Sequence, residues 1–61
     1  MGIRYYFKDE VVARQAVAKA YNHQFWAYTF KGSLPEGAKC GVECSELCEG
    51  LFEKEFGFNL V

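Results

Sequence analysis

Cys40-Gly41-Val42-Glu43-Cys44-Ser45-Glu46-Leu47-Cys48-Glu49-Gly50-Leu51-Phe52 is the stretch on which the fold turns. Cys40, Cys44, Leu47, Cys48, Leu51 and Phe52 recur three and four residues apart and make one helical stripe. Glu43, Glu46, Glu49 and Glu53 fall on the other side of the same wheel. The spacing predicts a second helix over residues 38–55, with Ser33 and Glu36 fitting a capping box ahead of it and Pro35 tolerated in the first turn. Gly41 and Gly50 each cost about 1 kcal/mol relative to Ala inside such a helix, so a break or a late start is part of this reading. Gly57 then stops the helix, and Phe58-Asn59-Leu60-Val61 reads as a short final strand.

Upstream the patterns are clearer. Ile3-Arg4-Tyr5-Tyr6-Phe7-Lys8 alternates in period two, with Ile3, Tyr5 and Phe7 on one face and Arg4, Tyr6 and Lys8 on the other, which predicts a strand. Asp9 supplies an N-cap oxygen, and Glu10 suits the positive end of a helix dipole. From Glu10 to about His23, Val12, Ala13, Ala16, Val17, Ala20 and Tyr21 recur at helical spacing, with Asn22 expected in the left-handed position that ends the helix. Phe25 to Lys31 reads as a second strand, Trp26, Tyr28 and Phe30 facing one way and Phe25, Ala27 and Thr29 the other.

The expectation is therefore one small α+β domain over 1–61, of order β-α-β-α-(β), with two helices packed on one face of a two- or three-stranded sheet. If the first two strands are neighbours, the intervening helix makes them parallel through a right-handed crossover. The second face of the sheet is then left open.

Composition sets the function classes. Hydrophobic residues make 51% and charged residues 25% of the 61, the balance of a chain that folds. A net charge of −1 gives no global pull toward a polyanion or an acidic membrane, and no apolar run reaches the length of a membrane span. The start, Met1-Gly2-Ile3-Arg4-Tyr5, carries no signal-peptide core, which points to a cytoplasmic chain. No Gly-rich phosphate loop, nucleophile elbow or metal carboxylate pair occurs, so an enzyme is not expected.

Two features carry functional information. Cys40, Cys44 and Cys48 with His23 are enough in number for a tetrahedral zinc site. Residues eight apart on a straight helix stand about 12 Å from each other, however, so one ion reaches Cys40 and Cys48 only if the helix breaks. The bland alternative is that reduced cysteine acts as a small buried hydrophobe, and an odd count fits a reducing compartment better than a disulfide framework. On this reading no cofactor is required. His23 beside a thiol would suit nucleophilic catalysis, but nothing in the spacing selects it, and a histidine at a helix C-terminus already interacts with the dipole.

The second feature is the aromatic excess: six Phe, four Tyr and one Trp make 18% of the chain, more than a core of this size readily hides. Tyr6, Trp26, Tyr28 and Phe30 are expected on the open sheet face, the composition of a protein-binding surface. The first expectation is thus a non-catalytic protein-interaction module, a small regulator, inhibitor or homo-oligomer. It docks through that face or through an acidic helix of Glu43, Glu46, Glu49 and Glu53 that imitates a phosphate backbone, as small mobile-element or phage-type inhibitors do. The second is a single-strand nucleic-acid binder in which Tyr6, Trp26 or Tyr28 stacks bases while Arg4, Lys8 and Lys31 hold phosphates.

Overall fold

The computed structural model describes residues 2–56, with side chains from Gly2 to Phe52. The chain runs β1 (Gly2–Phe7), α1 (Glu10–Asn22), β2 (Ala27–Phe30), β3 (Cys40–Ser45), a 3₁₀ turn (Glu46–Cys48) and α2 (Glu49–Phe56). An α+β fold with both helices against one face of a small sheet is what the sequence led us to expect. The expected strand at 58–61 lies outside the described residues.

One element differs in kind. Cys40–Ser45 is not the first half of a helix but the central strand of a three-stranded sheet of order β1-β3-β2, antiparallel to both neighbours. A spacing of four places Cys40 and Cys44 on one face of a helix and equally on one face of a strand, so the cysteines do not distinguish the two periods. Val42 does: it shares the strand's inner face with both cysteines, and as a β-branched residue it suits that setting. Gly41, a penalty in a helix, is a requirement of the strand, as the site below shows. The helix begins only after Ser45, whose hydroxyl accepts from the Leu47 amide at 3.2 Å and starts the 3₁₀ turn.

The new strand changes two other expectations. β1 and β2 are not neighbours; they run the same way with β3 between them. The capping box at Ser33 and Glu36 is not formed, because residues 31–39 make a loop in which Ser33 and Gly37 have φ of 58° and 93° and the Ala38 amide bonds the Pro35 carbonyl.

Helix α1 begins as expected, with the Asp9 carboxylate accepting from the Val11 amide at 2.8 Å and Glu10 paired to Arg14 one turn on. Its end differs from expectation. Gln24, rather than Asn22, holds the left-handed conformation (φ 66°), while the Gln24 and Phe25 amides turn back to the Tyr21 and Ala20 carbonyls.

The core lies between the helices and the inner face of the sheet. Ala13, Ala16 and Ala20 point from α1 and are completely buried over the small side chains Cys40, Val42 and Cys44 of β3. Small residues on both surfaces let helix and sheet approach closely. Phe7 closes one end, and Phe52 of α2 packs against Tyr5 with ring centroids 5.0 Å apart.

Candidate interaction face

The outer face of the sheet is built from alternate residues of three strands, and the register sorts them into three rows. Trp26 stands opposite Ser45, which pairs with Gly2. Tyr28 stands opposite Glu43, which pairs with Arg4. Phe30 stands opposite Gly41, which pairs with Tyr6. In each row a ring comes from β2 or, for Trp26, from the residue just before it, and lies over the neighbouring strands.

The glycines are what let the rings lean. A Cβ added at Gly41 would lie 2.4 Å from the Phe30 ring, and one added at Gly2 would lie 2.5 Å from the Trp26 indole, distances that no side chain tolerates. Phe30 thus lies directly on the Gly41 backbone and meets Tyr6 edge to face at 6.1 Å. In the middle row Arg4 Nε donates to Glu43 Oε1 at 2.9 Å, and the Tyr28 hydroxyl lies beside the same carboxylate. The Arg4 hydrogen bond first, and then the neighbouring Tyr28 hydroxyl, hold the Glu43 carboxyl below the usual carboxylate range, and the nearness of Glu43 raises the Tyr28 phenol. The Arg4 guanidinium also sits 5.1 Å from the Phe30 centroid, tying the second row to the third.

Two rings of this fixed set stay exposed. Trp26 and Tyr28 stack at 6.3 Å and keep 46% and 49% of their surface accessible. Tyr6 and Phe30 are half-buried against their neighbours. The four aromatic residues expected from the sequence therefore share one face, and Glu43 joins them from the central strand.

The other glutamates do not. Glu46 and Glu49 are exposed in the 3₁₀ turn and at the start of α2, and the side chain of Glu53 lies outside the described residues. With Glu43 on a strand, the four do not line one helix, which removes the acidic-helix version of the interaction surface. Gly2 and Gly41 are the members of the face that the sequence reading left out, and Arg4, expected there as a phosphate-holding cation, is instead bound to Glu43. Period-two alternation already placed Arg4 with Tyr6, but Gly41 becomes legible only once its stretch is read as a strand.

The thiols occupy the opposite side. Cys40, Cys44 and Cys48 are completely buried and not joined in disulfides, whereas His23 is exposed at the end of α1 and stacks on Phe25. Along a strand, Cys40 and Cys44 stand about 13 Å apart. Among the described residues no group of three His, Cys, Asp or Glu side chains is placed to hold a metal ion, so the zinc arrangement of Cys40, Cys44, Cys48 and His23 is not formed. Burial pushes the Cys44 thiol up to about 12, helped by the nearby Cys48. Burial raises Cys40 and Cys48 as well, which makes all three poor nucleophiles.

The cations expected to hold phosphates are mostly engaged. Arg4 is bound to Glu43, and Lys31 Nζ bonds the Glu10 carboxylate at 3.0 Å. Among the described residues no helix is long and apolar enough to cross a membrane. No family model, curated protein or solved structure matches the chain.

Proposed function

We propose that the chain is a non-catalytic protein-interaction module, of the small regulator or inhibitor type, that docks a protein partner on the outer face of its sheet. The observation that carries this reading is the exposure of Trp26 and Tyr28, each close to half accessible. Both belong to a set of rings already held in place by Gly2, Gly41, Glu43 and Arg4. Rigid, amphipathic rings contribute contact area at little cost in side-chain entropy, and Trp and Tyr are enriched at binding hot spots. Arg4 and Glu43 supply a neutral polar centre that orients a partner's polar groups without demanding a strongly charged one. A single-strand nucleic-acid ligand is less well supported, since Arg4 and Lys31, two of the three cations expected to hold phosphates, are bound to carboxylates.

The test compares capture of host proteins by the wild type and by W26S and Y28S, two exposed positions whose replacement leaves the buried core untouched. Proteins retained by the wild type and lost with both variants, at unchanged circular dichroism, would support the assignment. Equal capture by all three would remove it.

A further inference from the structure

Strand β2 ends the sheet, and its free edge has a pattern of its own. The Ser45 amide donates to the Trp26 carbonyl at 3.0 Å, which sets the phase of the ladder, with Trp26 bonding toward β3. Bonding alternates along an antiparallel ladder, so Tyr28 and Phe30 also bond toward β3. The amides and carbonyls of Ala27 and Thr29 then point outward from the sheet, and among the described residues neither makes a backbone bond with a loop. Edge strands are ordinarily protected by shortness, proline, lysine, a bulge or a covering segment, and of these β2 has its shortness, at four residues. Ala27–Phe30 has no proline or lysine, and the rings of Trp26 and Phe30 lean away from the edge onto Gly2 and Gly41.

We propose that this edge pairs with the same edge of a second copy of the chain, antiparallel, with Tyr28 on the two-fold axis. That register places Ala27 opposite Thr29 of the other copy, and each pair exchanges two backbone hydrogen bonds, giving four across the junction. On the outer face it sets Trp26 opposite Phe30 and Tyr28 opposite Tyr28, and because the Trp26 and Phe30 rings lie back over their own sheet they leave the junction unobstructed. No charged residue of Ala27–Phe30 meets a like charge, because the strand has none. The product is a six-stranded sheet in which two aromatic faces become one continuous surface. The proposal deepens the docking assignment above, since the doubled face is what a larger partner would meet.

The test separates the edge from the face. Analytical ultracentrifugation of the wild type is expected to show a monomer–dimer equilibrium. T29P, which removes an outward amide at an edge position where proline is tolerated, is expected to weaken the dimer by about tenfold or more through loss of two hydrogen bonds. Y28C supplies a readout that does not depend on the proline variant. Residues opposite each other in a non-hydrogen-bonded pair have Cα atoms about 4.5 Å apart, within disulfide reach, so mild oxidation is expected to link two copies through Cys at 28. K31C, about 20 Å from its counterpart in this register, is not expected to link. A wild type that stays monomeric to millimolar concentration overturns the edge pairing, and if W26S and Y28S still abolish capture the docking assignment stands without it. A dimer that T29P leaves intact and Y28C fails to link overturns it equally, placing self-association elsewhere.

Discussion

Replacing Gly41 with Ala should destabilise the protein through a ring on the far side of the sheet from the core. The added Cβ would sit 2.4 to 2.7 Å from three atoms of Phe30, so the ring must withdraw by roughly 1 Å to regain ordinary contact at about 3.5 Å. In withdrawing, it loses the edge-to-face contact with Tyr6 and the approach of Arg4, each worth about 0.5–1 kcal/mol. Uncovering of the Gly41 backbone adds to the loss. Against this, Ala is favoured over Gly in a strand by about 0.5–1 kcal/mol through reduced chain entropy. The clash outweighs the gain, and the net loss is about 1 kcal/mol, which in a domain of this size lowers Tm by about 4–8 °C. Thermal denaturation followed by circular dichroism reads the shift. The stronger form of the test is a cycle with Phe30→Ala: without the ring, G41A should become stabilising by about 0.5–1 kcal/mol. A G41A protein as stable as the wild type, or a cycle with the same sign in both backgrounds, would refute the seating of Phe30 on Gly41.

Other consequences can be checked on the same material. Gln24 holds a left-handed conformation that costs a non-glycine residue about 1–2 kcal/mol, so Q24G should leave stability unchanged or raise it by up to about 1 kcal/mol in urea denaturation, whereas Q24V should lower it. The carboxyls of Glu43 and Glu10 lie below their ordinary value of 4.5 in the folded state, so their stabilisation is present above that pH and lost as pH falls through the depressed values. Tm should therefore fall on acidification from pH 6 to 3, and less steeply in E43Q. Cys44 behaves in the opposite sense. With its thiol raised from 9.0 to about 12 on folding, its contribution is whole below pH 9 and lost between 9 and 12, so C44A should narrow the alkaline loss in urea midpoint between pH 8 and 10.5. The same burial predicts that a thiol reagent titrates none of the three cysteines until the chain is unfolded.

Much of this architecture is legible in the chain because local signals agree with one another. Alternation in Ile3 to Lys8, the Asp9 cap and the alanine stripe of α1 each point to one structure, and Trp26, Tyr28 and Phe30 share a face in any strand that contains them. Cys40 to Ser45 reads as helix because a four-residue repeat satisfies both periodicities, and the residues that break the tie act at long range. Val42 belongs to a core assembled with α1, and Gly41 is explained only by a ring eleven residues upstream. The end of α1 departs from the local pattern for a related reason. Asn is the usual non-glycine choice for a left-handed cap, but here the helix continues through Asn22 until the turn into β2 fixes Gln24. The aromatic half of the candidate site followed from alternation and composition, whereas its polar centre, Arg4 with Glu43, depended on a strand order that no local pattern records.

The docking assignment is tested most directly by placing a photo-reactive phenylalanine at Tyr28 and, separately, at Tyr21, then irradiating cells of the native host. Tyr21 is the more exposed of the two rings, at 59%, but lies on α1 away from the outer face. The account expects discrete protein adducts from position 28 and none from position 21. Adducts from position 21 alone, or equal labelling from both, would contradict it.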